Sequence, residues 1–125
     1  MDLSPLVPAT RQIVERYAPS GFRISGVVWN CPVLVFPDLT REWNITDAAR
    51  IDWESLLPVV DHGGVQILLL GLGNRIVPIA TALRAALRQA GAALEPMSTG
   101  AACRTYNVLV SEDRRVAAAL LPARG

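Results

Sequence analysis

The sequence predicts a single α/β domain in which at least one apolar strand is covered on both faces. The composition is typical of a well-buried core, because 51% of the residues are hydrophobic and 18% are charged. A length of 125 residues is sufficient for one core without disulfides or metals. In the second half, an apolar run over 65–70, a helical pattern and an extended run over 93–96 indicate a strand–helix–strand unit. We place one domain over 1–125, with an ordered core over about 14–121.

The N-terminal half has the pattern of short strands. Residues 12–17 alternate weakly, and residues 22–29 form a clearer strand pattern. Asn30, Cys31 and Pro32 connect this run to the apolar residues 33–36, which predicts an N-terminal hairpin between the two runs. Asp52 is positioned as the N-cap of a brief helix that ends near residue 60.

Two longer helices are predicted in the C-terminal half. The first starts near Pro78 and stops at Gly91. The second is capped by Ser98 or Thr99 and carries an apolar stripe made of Ala102, Cys103, Tyr106, Leu109 and Val110. Arg104 and Asn107 fall on a different face of this second helix. The uniformly apolar residues 116–121 return as a final strand.

Composition excludes several classes of function. A net charge of +1, without a basic run, gives no reason to expect nucleic acid. The longest apolar runs are far shorter than the roughly 20 residues that span a bilayer, so we expect no membrane insertion. The N-terminus lacks the pattern of a signal peptide, and Cys31 and Cys103 are expected to be reduced; both indicate a cytoplasmic protein. One histidine and two distant cysteines are too few for a zinc site, so we predict no metal and no cofactor.

Two turns are the strongest candidates for a functional surface. Residues 71–75 follow the apolar strand and precede a helix, and residues 98–107 do the same after the next strand. Their backbone N–H groups can bind an anion or a small polar ligand at one sheet edge. The alternative is structural: the glycines allow a tight turn and Ser98 or Thr99 caps a helix. The pattern at 71–75 matches neither a Walker motif nor a dinucleotide fingerprint.

No coherent catalytic set is visible. Cys103 lies near a helix N-terminus, where a thiol can be activated, yet it also falls on the apolar stripe, where a small buried side chain is expected. His62 stands beside a glycine pair, and no nucleophile elbow accompanies it. A thiol enzyme therefore stays a third hypothesis, and we predict a protein that is not an enzyme.

Three segments resemble a known family, namely GFRISG at 21–26, LLLGLG at 68–73 and STGAACRTYN at 98–107. Their order and spacing are similar to those of a family of domains of unknown function. That family has archaeal and bacterial single-domain members, and its mitochondrial branch includes complex I assembly factor three. The resemblance covers roughly residues 14–121. It implies three layers around a central mixed sheet of about five strands, with the last strand interior and antiparallel to its neighbours.

The resemblance and the two turns each lead to one of the two main hypotheses. The first is a non-catalytic protein-interaction or assembly accessory module with a protein partner. The second is a binder of a small anionic or polar ligand between the two turns. The oligomeric state is left open. The candidate ligand or partner contacts are Arg23, Gly71, Gly73, Asn74, Arg75, Ser98, Thr99, Gly100, Arg104 and Asn107.

Overall fold

The computed structural model describes residues 11–123, and the chain forms two β-sheets and three α-helices within this range. Residues 1–10 and 124–125 lie outside the described part, so the predicted domain limits at 1 and 125 stay a prediction. The α/β fold class is confirmed.

The outer sheet is antiparallel and consists of β1 (Val14–Ala18), β2 (Gly21–Ile24) and β3 (Val27–Trp29) in that spatial order. A two-residue turn joins β2 to β3. Its residues, Ser25 and Gly26, have φ angles of 44° and 86°, as a tight hairpin turn with the right-handed twist of the strands requires.

The position predicted for the N-terminal hairpin was therefore wrong. Residues 22–29 are two strands instead of one, because the chain reverses at Ser25 and Gly26. Residues 33–36 contribute to the other sheet and do not pair with β3. An N-terminal hairpin exists, but its turn is at Ser25 and Gly26 and not at the predicted connection of residues 30–32.

The central sheet contains β4 (Val33–Val35), β5 (Thr40–Glu42), β6 (Ile67–Leu72), β7 (Ala93–Met97) and β8 (Val116–Leu121). The spatial order is β5-β4-β8-β6-β7, so the mixed five-stranded sheet and the interior position of the last strand are confirmed. β8 is antiparallel to β4 but parallel to β6. The antiparallel relation implied by the resemblance therefore holds for one of its two neighbours.

The helices are α1 (Trp53–His62), α2 (Thr81–Gln89) and α3 (Thr99–Ser111), and a 3₁₀ turn spans Ala48–Arg50. Asp52 caps α1 as predicted, and it forms a capping box with Ser55. Ser98 caps α3 by accepting a hydrogen bond from the Ala101 N–H. Among the residues that the structure describes, no helix is both long and apolar enough to cross a membrane.

The core lies on both faces of the central sheet. Along β8, Ala117 and Ala119 pack with the cluster under α1 and α2, whereas Val116 and Ala118 pack with the cluster under α3 and the outer sheet. This alternation is the period-two pattern of a strand that is buried on both faces. The molecule thus has the three predicted layers, and the carboxyl ends of β6 and β8 meet the start of α3.

Candidate functional site

The two turns chosen from the sequence are in direct contact. The Thr99 N–H donates to the Gly73 carbonyl at 2.9 Å, which joins the first residue of α3 to the turn after β6. Because β6 and β7 are parallel neighbours, the segments that follow them emerge at the same edge of the sheet. The predicted proximity of these two segments is confirmed.

The Thr99 side chain completes this junction. Its hydroxyl accepts from the Gly73 N–H at 2.7 Å and donates to the Leu121 carbonyl at 2.6 Å. Thr99 is fully buried, so both bonds form away from water. One hydroxyl therefore connects the ends of β6 and β8 with the start of α3. The N–H groups of Gly73 and Thr99, which were among those predicted to bind an anion, are used by the fold.

Gly71 allows this close approach. A Cβ atom at position 71 would lie 2.9 Å from a methyl group of Leu120 and 3.1 Å from the Cα atom of Thr99. These distances leave no gap between the turn and the helix start. The structure gives no support to the hypothesis of a ligand bound between the two segments, because protein atoms fill the space that the ligand would occupy.

Gly100 and Arg104 lie beneath an aromatic side chain from the outer sheet. The Arg104 Nη1 donates to the Tyr17 hydroxyl at 2.9 Å, and a Cβ atom at Gly100 would lie 2.7 Å from that hydroxyl. Tyr17 and Arg104 are both exposed. The contact therefore covers the first turn of α3 with groups that remain accessible to solvent.

Asn107 was predicted to lie on the surface of its helix, and this was wrong. It is 5% exposed, and its amide exchanges two hydrogen bonds with the backbone of Val14. The Asn107 carbonyl oxygen accepts from the Val14 N–H at 2.9 Å, and its nitrogen donates to the Val14 carbonyl at 2.8 Å. The side chain pairs with β1 as a neighbouring strand would, which is a structural role.

The thiol of Cys103 is buried and weakly acidic. Burial raises the pKa of the Cys103 thiol to about 12, and the nearby Arg104 offsets this only in part. The thiolate, which is the nucleophilic form, is therefore scarce near neutral pH. Burial likewise raises the pKa of Tyr106, whose hydroxyl donates to the Gln12 carbonyl at 2.9 Å. This geometry gives the hypothesis of a thiol enzyme no support.

The remaining candidates are exposed and do not form one cluster. Arg23 lies on β2 and contacts Glu15, with 3.3 Å between Nε and Oε1. The Asn74 amide donates to the Ala123 carbonyl at 3.4 Å. Arg75 lines a cleft of about 340 Å³ at the ends of β6 and β8. Whether these side chains contact a partner stays a prediction.

Across residues 11–123, no group of three or more histidine, cysteine or acidic residues has the geometry of a metal site.

Sequence reasoning missed the outer strand β3. Val27 and Val28 are 54% and 64% exposed, which is unusual for two adjacent valines in a strand. Arg16, on β1, was also overlooked. The signal was available, because the dipeptide Ser25-Gly26 between two short β-prone runs is typical of a two-residue hairpin turn.

The fold and the site together define a class of protein: a small mixed α/β domain whose buried polar groups serve its own architecture. The chain belongs to the family described as Protein of unknown function (DUF498/DUF598), whose model matches residues 14–121. The resemblance predicted from the three sequence segments is thereby confirmed.

Individual relatives come from bacteria and vertebrates. An uncharacterized protein of Rhodobacter capsulatus is 39% identical over 112 residues, which cover 90% of this chain and 86% of the relative. NADH dehydrogenase (ubiquinone) 1 alpha subcomplex assembly factor 3 of Xenopus tropicalis is 37% identical over 110 residues. That match covers 87% of this chain but only 60% of the assembly factor. The crystal structure of an outer membrane protein from Bartonella henselae is similar with a TM-score of 0.82 and 30% identity, covering 91% of this chain and 97% of that one.

Proposed function

We propose that this protein is a non-catalytic accessory module that binds a partner protein through its outer sheet. The observation that carries the proposal is the exposed strand β3, where Val27 and Val28 present apolar side chains to solvent. Successive side chains of a strand point to opposite faces, so a partner that adds along the edge of β3 would cover both valines. Such a contact accounts for their exposure better than simple solvation does. The partner would cover these side chains and remove their apolar area from water.

The interior of the site favours the same conclusion. Thr99 and Asn107 are the buried polar side chains of the candidate set, and both are satisfied by backbone groups of this chain. The raised pKa of Cys103 keeps its thiol protonated. A catalytic centre needs a donor, acceptor or nucleophile that is available to a substrate, and these residues do not offer one.

The family supplies a second line of support. Relatives of this chain carry the name of a complex I assembly factor, and an assembly factor acts by binding other proteins. The match covers only part of that longer relative, so the partner of this chain is proposed by class and not by name. We also propose a cytoplasmic location, which fractionation of host cells would test; recovery in a membrane or extracellular fraction would contradict it.

A photo-crosslinking amino acid placed at position 27 tests the proposed function directly. Position 108 provides a matched control, because Val27 and Val108 are both 54% exposed but lie on different elements, β3 and α3. In host cells we expect a discrete crosslinked product from position 27, and its protein, when tagged, should recover this chain in return. Equal labelling from the two positions, or the absence of a partner from both, would contradict the proposal.

A further inference from the structure

The two sheets have four edge strands, and their protection differs. The outer edge of β1 is occupied by other parts of the chain, since Asn107 bonds both backbone groups of Val14. Near the end of the same strand, the Ala123 N–H donates to the Ala18 carbonyl at 3.3 Å. Occupied backbone groups cannot pair with a further strand, so this edge is blocked at Val14 and at the Ala18 carbonyl.

The two edges of the central sheet are protected by their sequences. β5 carries the exposed charges of Arg41 and Glu42. β7 contains Pro96, which has no N–H to donate, and the exposed charge of Glu95. Charges and proline are the usual means by which edge strands avoid pairing with other chains. β3, with the sequence Val-Val-Trp, has neither.

The backbone of β3 is oriented to accept another strand. In a two-residue hairpin the residues that flank the turn, here Ile24 and Val27, exchange both hydrogen bonds. Because bonded and non-bonded pairs alternate, Val28 points its N–H and C=O away from β2. Across residues 11–123, no backbone hydrogen bond joins this outer side of β3 to another segment.

The exposed face beside this edge is positively charged. Arg16 lies opposite Arg23, which lies opposite Val28, so the three form a row across the outer sheet. Glu15 pairs with Arg23, but no carboxylate lies within 4.0 Å of the Arg16 guanidinium among the residues described. The row borders a hollow of about 210 Å³ that Gly21 and Asn30 also line.

We propose that β3 accepts an extended acidic segment of a partner protein as a fourth strand of the outer sheet. The inference rests on the proposed function and names the chemistry of its partner. Val28 would supply the backbone hydrogen bonds, and an acidic side chain on the same face would enter the hollow beside Arg16 and Arg23. Strands in a sheet are about 4.8 Å apart, so Arg23 is about 10 Å from the added strand, which two long side chains together span. Arg16 is one strand further away, at about 14 Å, and acts through its charge across the hollow.

A second copy of this chain is a poorer occupant. Two antiparallel β3 strands would place Val28 opposite Val28 and would bring no acidic side chain to either hollow. Charge therefore favours the acidic partner.

The test uses the full chain and two synthetic peptides in an NMR titration. One peptide alternates valine and glutamate, and the other has glutamine in place of each glutamate. We expect saturable shifts of the Val27, Val28 and Trp29 amides, with the acidic peptide binding about threefold more tightly or better. This preference should shrink as salt is added, because the charges lie at the surface.

Two matched pairs of variants identify the contacts. Val28→Pro removes the outward N–H without touching the bonds to β2 and should weaken the acidic peptide about tenfold, whereas Val28→Thr should bind nearly normally. Arg16→Glu should abolish the preference for glutamate. Arg88→Glu makes the same charge change on the exposed face of α2 and should leave the preference intact. The amide spectrum of each variant reports whether it folds.

Each outcome decides between the alternatives. Equal affinity for the two peptides, shifts outside the outer sheet, or equal binding by Val28→Pro and Val28→Thr would overturn the inference. If crosslinking from position 27 still captures a partner, the proposed function survives that failure. If the only crosslinked product is a dimer of this chain, the occupant is a second copy and the inference is wrong. A missing partner would remove both proposals together.

Discussion

Replacing Thr99 with valine should destabilise the protein by about 3 kcal/mol, although the two side chains have nearly the same shape. The valine lacks the hydroxyl that accepts from the Gly73 N–H and donates to the Leu121 carbonyl. Both backbone groups would then be buried without this partner. The change therefore measures how strongly one hydroxyl joins the turn after β6, the end of β8 and the start of α3.

The magnitude follows from the two groups that lose a partner. The Gly73 N–H has one hydrogen, and leaving it buried and unpaired costs about 2 kcal/mol. The Leu121 carbonyl has a second lone pair, so its loss is smaller, about 1 kcal/mol. The Thr99 backbone bond to Gly73 does not involve the side chain, so it should survive the substitution and hold the helix start in place.

Urea denaturation of the Thr99→Val and Thr99→Ser variants measures this effect. The serine variant keeps the hydroxyl and loses one methyl group, which should cost about 1 kcal/mol. We expect the midpoint of the valine variant to fall well below that of the serine variant, with unchanged m-values. If valine is as stable as serine or more stable, then the hydroxyl bonds contribute nothing and the reasoning about this junction is refuted.

Three further predictions follow from the same geometry. Gly71→Ala should lower the free energy of unfolding by about 2 kcal/mol, because the added Cβ meets backbone and a packed methyl group. Gly100→Ala should change it by no more than about 0.5 kcal/mol, since the exposed Tyr17 phenol can move and alanine favours the helix. Thermal unfolding compares the two variants, and equal losses of stability would contradict the packing argument. Stability should fall as pH rises from the unfolded pKa of the Cys103 thiol, 9.0, towards its folded pKa of about 12, because the unfolded chain loses the thiol proton first. Urea titrations of Cys103→Ala should show a smaller decrease of stability with pH. An unchanged decrease would show that other groups cause it. Asn107→Leu should lower the free energy of unfolding by about 3 kcal/mol and speed hydrogen exchange at the Val14 amide. Unchanged protection of the Val14 amide would show that the two hydrogen bonds to Asn107 are not needed.

Local patterns explain what could be predicted from the sequence. Ser98 and Asp52 cap their helices because a short polar side chain before an apolar helical run has a local backbone partner. The contact between Gly73 and Thr99 was also predictable, since two parallel strands in succession bring their following turns to one edge of the sheet. These features depend on neighbours in sequence or on a topology that local patterns define.

Other features depend on partners that are distant in sequence. Asn107 is a polar residue in a helical run, so the sequence predicts that it lies at the surface. Its hydrogen-bond partner, Val14, lies 93 residues away in sequence. Trp43 follows two charged residues, yet it is 1% exposed and its indole N–H donates to the Ser55 carbonyl at 2.9 Å. In both cases a long-range hydrogen bond satisfies the polar atom and permits burial, and no local pattern reveals such a bond.

The treatment of sheet edges connects these findings to function. The Asn107 amide blocks the edge of β1 at Val14, and one charged side chain or one proline on β3 would protect the other edge of the outer sheet. β3 instead carries two exposed valines, of which Val28 lies in a row with Arg16 and Arg23. Within residues 11–123, β3 is the edge strand that carries no charge, proline or outer backbone hydrogen bond. An open edge risks unwanted pairing, so this arrangement supports the proposal of a partner that covers β3. The polar side chains of Thr99 and Asn107 stabilise the interior, and β3 is the strand that offers a surface for the proposed contact.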